Sequence, residues 1–113
     1  MKGRKMSAIR SHWKATANVE KTGFAQAPLV VCADGFTMSV QASQFHHCAP
    51  RQLLKSGEYD AWEIGFPSSP EDLILSFAAE ADKPTDTVYG YVPTAIVDAV
   101  IEKHGGLKCA PAS

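Results

Sequence analysis

The alternation of apolar and polar positions marks out a sheet before anything else. Residues 28–41 form two β-rich runs around Asp34-Gly35. Asp-Gly between such runs signals a hairpin, because a two-residue type I′ turn needs positive φ at both central positions. That turn predicts Ala33 opposite Phe36, Val31 opposite Met38 and Leu29 opposite Val40. These six residues would share one face, and Val30, Cys32, Thr37, Ser39 and Gln41 the other. A slip of one residue would undo that division.

Two further strands follow from the same pattern. In residues 61–66, Trp62, Ile64 and Phe66 fall on one side and Glu63 on the other. Residues 87–92 are β-branched and aromatic, and Tyr89 and Tyr91 share a parity, which predicts that they point the same way. Either both pack against a helix or both are exposed as contact anchors.

Helical spacing appears at three places. Pro93 opens a run in which Ile96, Val97, Val100 and Ile101 make an apolar stripe, and Gly105-Gly106 closes it. Ser69-Pro70-Glu71-Asp72 reads as a helix start, with Leu73, Ile74, Phe77, Ala78 and Ala81 on one face, and this predicts a short second helix. Ile9, Trp13 and Ala17 permit a short helix in residues 1–27, the alternative being a loosely ordered arm. The outline is a small α+β domain over residues 28–106. It has an antiparallel sheet of about four strands with the C-terminal helix packed on one face. Residues 1–27 are read as a basic arm and residues 107–113 as a tail.

Composition adds bounds. The chain has 113 residues, 45% hydrophobic and 20% charged. That suits one soluble globular domain. Its longest apolar run, residues 29–33, is far short of the roughly 20 residues a membrane span needs. The basic start is followed by no apolar core of a secretory signal. Cys32, Cys48 and Cys109 are an odd count without a close pair, which points to a reducing cytoplasm rather than a disulfide framework.

The net charge of −1 averages two unlike parts. Residues 1–23 hold six basic residues against Glu20, a net +5, and residues 24–113 a net −6. The basic arm, with Lys2, Arg4, Lys5, Arg10 and Lys14 beside Trp13, could bind nucleic acid without sequence preference. Residues 58–86 carry eight acidic residues against Lys83 alone. Such a surface favours a basic protein partner, and Glu58, Asp60, Glu63, Tyr89 and Tyr91 are its candidate contact residues.

Candidate chemistry is sparse. His46, His47 and Cys48, with Cys32 on a nearby strand, carry zinc-type donors or a thiol with a base. Their spacing matches no zinc pattern, and adjacent histidines in an extended chain point opposite ways. No phosphate-cradling glycine motif occurs, and the sequence implies no cofactor. His104, at a helix C-terminus, reads as a favourable dipole contact.

Three segments carry a resemblance. They are residues 34–40 (Asp-Gly-Phe-Thr-Met-Ser-Val), residues 61–68 (Ala-Trp-Glu-Ile-Gly-Phe-Pro-Ser), and residues 87–93 leading into the Ile96 helix. Through them, residues 31–106 resemble small uncharacterised proteins encoded in tailed-phage and prophage genomes. The resemblance implies a phage or mobile-element origin and brings no activity or site residues with it. The expectation is a non-catalytic module that binds a host or phage protein. A four-stranded sheet also leaves a face or an edge uncovered, and a homodimer is the simplest cover.

Overall fold

The alternating runs become one antiparallel sheet whose apolar face is closed by helices from both ends of the chain. The computed structural model describes residues 7–19 and 25–108. In chain order these form α1 (Ala8–Thr16), β1 (Asn18–Val19), β2 (Ala25–Gln26), β3 (Val30–Val31), β4 (Thr37–Gln41) and β5 (Ala61–Gly65). A single 3₁₀ turn (Leu75–Phe77), β6 (Val88–Pro93) and α2 (Thr94–Lys103) complete the order. The sheet runs β3-β4-β5-β6, antiparallel throughout, and β1 and β2 pair separately. The α+β class therefore holds.

The first hairpin forms, but in another register. Val30 pairs with Met38 and Val31 with Thr37, one residue away from the predicted pairing. The cause is the turn. Cys32 N–H donates to the Phe36 carbonyl (2.8 Å) and Gly35 N–H to the Cys32 carbonyl (2.9 Å), so the loop holds three residues. Gly35 takes the left-handed position at φ 96°, as a three-residue loop requires. Asp34 Oδ1 accepts from Phe36 N–H (2.9 Å), which favours this loop over the two-residue one. Val30, Cys32, Phe36, Met38 and Val40 consequently enter the core, while Leu29 and Val31 face out.

No α-helix forms over residues 69–81. Glu71 turns inward, and successive i→i+3 bonds from Ile74 N to Glu71 O (3.2 Å) and from Phe77 N to Ile74 O (2.9 Å) make turns instead. The segment then runs along the outside of β6. Ala78 bridges Tyr89, and Ala79 N–H donates to Val88 O (2.9 Å). Covering an otherwise open strand edge outweighs the propensity of a short isolated helix, which is marginal on its own.

Besides α2, an α-helix forms in the N-terminal region. Ser7 caps α1 by accepting from Arg10 N–H (3.2 Å), and Asp98 of α2 accepts from Ile9 N–H (2.9 Å). Ile9 and Trp13, four apart on one face, are completely buried. The Trp13 ring meets Tyr59 and Trp62 edge-on at centroid distances of 5.9 and 5.5 Å, and its Nε1 donates to Leu54 O (2.9 Å). Residues 8–16 are therefore part of the core packing and not a loose arm.

At the other sheet edge, the chain after α2 covers β3. Gly105 and Gly106 turn at φ 92° and 87°, and Gly106 N–H closes the helix on Ile101 O (2.9 Å). Ala33 N–H then donates to Gly106 O and Lys108 N–H to Val31 O, both at 2.8 Å, with Leu107 bridging Cys32. Residues 107 and 108 thus pair with the hairpin, whereas the expected frayed tail began at residue 107. An edge-to-edge dimer would have to displace one of the two covers.

Candidate functional site

The face of the sheet away from the helices carries Glu63, Gly65, Gly90 and Tyr91, and the loop of residues 43–48 lies across part of it. His47 anchors that loop. Its main-chain N–H and its Nδ1 both reach Glu63 Oε1, at 3.0 and 2.9 Å. Tyr91 N–H donates to His47 O (2.9 Å). Gly90 makes the approach practicable: a Cβ there would stand 3.2 Å from His47 Cβ. Behind His47, the buried Ser43 hydroxyl accepts from Phe45 N–H (3.0 Å) and pairs with His46 Nδ1 (2.7 Å). Cys48 Sγ–H donates to Ser43 O (3.1 Å).

A β-bulge decides what this face presents. Trp62 pairs with Val92 and Ile64 with Tyr89, so two steps along β5 oppose three along β6. The extra residue breaks the alternation. Tyr89 is buried, with its hydroxyl donating to Pro84 O, while Tyr91 takes a left-handed backbone at φ 54° and stays 47% exposed. The two tyrosines therefore diverge, contrary to the parity prediction. The Tyr91 ring sits 5.9 Å from the His47 ring, and Phe45 is exposed on the same loop.

The structure brings Glu63, His47 and Tyr91 together from what the sequence offered as separate groups. It places the others apart. Glu58 is exposed, and Asp60 lies 3.8 Å from Arg10, at the start of α2. Arg10 donates to Tyr59 O (2.9 Å), and Lys14 is exposed. Lys2, Arg4, Lys5 and Cys109 lie outside the described residues. Cys32 is buried in the hairpin, and burial, with Asp34 nearby, pushes its thiol up to about 11. Burial also raises the Cys48 thiol. Both thiols are therefore poor nucleophiles and poor metal ligands at neutral pH. No group of three His, Cys, Asp or Glu placed to hold a metal occurs among the described residues.

Sequence reasoning missed a second cluster. Glu71 is 1% exposed and accepts from Leu73 N–H (2.9 Å), Lys103 Nζ (2.9 Å) and His104 Nε2 (2.7 Å). The other His104 nitrogen, Nδ1, lies 2.6 Å from Asp34 Oδ2, and the ring stacks on Phe36 at 4.0 Å. Burial alone would raise the Glu71 carboxyl and lower the His104 imidazole. Hydrogen bonds outweigh it: Leu73 N–H, then Lys103 and His104, hold Glu71 below the usual carboxylate value, and Glu71 and Asp34 hold His104 above the usual imidazole value. The Phe36 N–H, then His104, hold Asp34 low as well. Only the helix-terminal position of His104 was visible in the sequence, because its partners lie 33 and 70 positions away.

Chemically, the two clusters differ. Both nitrogens of His104 are bonded to carboxylates, so that ring has no position left for a substrate. His47 is oriented by Glu63 and keeps Nε2 without a hydrogen bond among the described residues, but no hydroxyl or thiol is bonded to it. This arrangement offers an imidazole edge and an aromatic face to a partner. A groove of about 930 Å³ also runs between α1 and α2, lined by Ala8, Arg10, Thr94, Asp98 and Glu102 among others.

No helix of the described residues is long and apolar enough to cross a membrane. No protein-family model, curated protein or solved structure matches the chain.

Proposed function

We propose that this chain is a non-catalytic protein-binding module whose contact surface centres on Tyr91, with Phe45, His47 and Glu63 around it. The observation that carries this reading is the bulge in β6. It costs the sheet its regular pairing and holds a tyrosine in a left-handed backbone, and its outcome is an aromatic ring turned to solvent. Aromatic anchors beside oriented polar groups are the usual energetic centres of interfaces. Of the groups that would serve a thiol or histidine enzyme, Cys48 and His46 are engaged with Ser43 and His104 with two carboxylates, while His47 has its Nε2 edge open but no hydroxyl or thiol bonded to it among the described residues.

The resemblance to phage and prophage proteins suggests a host or phage protein as the partner. The net −6 of residues 24–113 favours one with a basic surface. Two buried free thiols, Cys32 and Cys48, suit the cytoplasm of the host cell. The arm-based nucleic-acid reading is weaker, since Arg10 is bonded to Tyr59 and faces Asp60.

The test is affinity capture from cells that carry the gene, using the intact chain and Tyr91→Ser in parallel. A purified binding assay with the recovered protein follows. The reading predicts a partner whose affinity falls at least about tenfold with Tyr91→Ser, the size of an interface hot spot. Equal binding by both forms, or recovery of nucleic acid alone, overturns it.

A further inference from the structure

Three segments meet around one imidazole. The hairpin turn contributes Asp34 and Phe36, the segment after β5 contributes Glu71, and the end of α2 contributes His104 itself, with Lys103 holding Glu71. We propose that His104 is a proton-operated latch. Its doubly bonded imidazolium ties the Asp34 turn to the end of α2, and loss of its proton releases the Asp34 arm and loosens the cover over the β3 edge.

The geometry requires the proton. A neutral imidazole has one N–H, and its other nitrogen presents a lone pair. Both His104 nitrogens face carboxylate oxygens, at 2.6 and 2.7 Å, so only the imidazolium satisfies both. After one proton is lost, one arm becomes a lone pair against a carboxylate. The two arms are unequal. The Glu71 side chain is 1% exposed and is also held by Leu73 N–H and Lys103. The Asp34 side chain is 49% exposed, so water can replace the imidazole there. The Asp34 arm is the one that lets go.

The surrounding charges are few and consistent with this order. Lys103 faces Glu71 and keeps that carboxylate charged. The Cys32 thiol near Asp34, at about 11, stays neutral through the same range. Glu102 and Lys108 are on the exposed side of the helix end and of the cover. The shifts of His104 upward and of Asp34 downward agree with an ion pair at neutral pH.

Release reaches the edge because the same turn holds the cover. Asp34 N–H donates to His104 O (3.1 Å), Ala33 N–H to Gly106 O (2.8 Å) and Lys108 N–H to Val31 O (2.8 Å). Gly105 packs so closely that a Cβ would stand 3.0 Å from Ala33 Cβ. Without the side-chain brace, these few main-chain bonds and the packing of Gly105 and Leu107 keep residues 104–108 on the edge. Access to β3 is what the latch controls.

The experiment is NMR on the full chain. The His104 ring is titrated through its own resonances, and amide hydrogen-exchange protection of Ala33, Asp34 and Lys108 is followed over the same pH range, corrected for intrinsic rates. The expected midpoint lies above 6.5, with protection at these three amides falling about fivefold across it and β4 and β5 amides unchanged. In Asp34→Asn, which keeps an acceptor oxygen without its charge, the midpoint should fall and the linked loss of protection disappear. Protection that stays constant while His104 titrates overturns the latch. So does an unaltered pH dependence in Asp34→Asn.

Discussion

Nε2 of His104 lies 2.7 Å from Oε1 of Glu71, and Glu71 is the one carboxylate among the described residues that is completely enclosed. A buried carboxylate is costly unless its oxygens are bonded. Here Oε1 takes the imidazole and Oε2 takes Lys103 Nζ and Leu73 N–H. The pair joins the end of α2 to a segment that has no helix or strand of its own beyond the 3₁₀ turn.

Removing the carboxylate should therefore unsettle that whole segment. Glu71→Ala leaves three donors without their acceptor, all three in partly buried hydrogen bonds. The expected cost is about 2–3 kcal/mol, read from urea denaturation midpoints at unchanged m-value. Glu71→Gln keeps an oxygen for one donor and should cost about half as much. Equal stability of Glu71→Ala and the parent chain would show that the network contributes nothing.

The same network predicts a pH profile with two limbs. The native His104 pKa is raised, so its contribution is complete below the ordinary 6.5 and is lost as pH rises through the raised value. Asp34 and Glu71 are lowered, so theirs is complete above 3.8 and 4.5 and is lost as pH falls through the lowered values. His12 and His46, lowered by burial, add to the acid limb below 6.5. The raised thiols of Cys32 and Cys48 add to the alkaline limb only above their ordinary 9.0. Denaturation free energies measured between about pH 7 and pH 8.5, above the range of His12 and His46 and below that of the thiols, isolate His104 on the alkaline side. Stability should decline there in the parent chain and much less in His104→Gln.

Local chemistry was legible in the sequence, and long-range pairing was not. Asp34-Gly35 announced a hairpin, but the Asp34 side chain selects a three-residue loop, which moves the register by one. Tyr89 and Tyr91 looked equivalent because parity assumes a regular ladder, and the bulge opposite Glu63 breaks it. The Ile9–Trp13 spacing was visible as helical, yet its depth of burial depends on Tyr59 and Trp62, far along the chain. Ser69-Pro70 promised a helix, and the demand of the β6 edge overrode it. Glu63 with His47, and Glu71 with His104, are pairs that no spacing encodes.

Two glycines separate backbone strain from crowding. At Gly35, φ is 96° and a Cβ would meet nothing within 4 Å. Gly35→Ala should cost about 1–2 kcal/mol from the left-handed backbone alone. At Gly57, φ is 77° and a Cβ would stand 3.0 Å from Trp13 Cδ1 and 3.2 Å from Arg10 O. Gly57→Ala should cost more, about 2–4 kcal/mol, and should change tryptophan fluorescence as α1 is pushed outward. Thermal melts of both variants check the order, and a larger loss at Gly35 would contradict the packing around Trp13.

Trp13 offers a direct measure of how far α1 belongs to the core. Trp13→Ala deletes a fully buried indole against Tyr59 and Trp62, and should cost about 3–5 kcal/mol. Trp13→Phe keeps most of the apolar contact but leaves Leu54 O without its donor, and a cost of about 1–2 kcal/mol is expected. A melting temperature unchanged by Trp13→Ala would show that α1 packs elsewhere in solution.

Tyr91 allows binding and stability to be moved in opposite directions. Its backbone sits at φ 54°, a region that costs a non-glycine residue about 1–2 kcal/mol, and its ring buries little apolar surface because it is about half exposed. Tyr91→Gly removes the strain and keeps the amide that donates to His47 O. The substituted protein should melt at the parent temperature or above it. If the ring is the anchor of an interface, the same substitution should abolish partner binding, and Tyr91→Ala should lose binding while keeping the strain. A contact residue is where such strain persists against stability. A Tyr91→Gly protein that is destabilised, or that still binds, would instead mean that the bulge serves the sheet and the contact surface lies elsewhere.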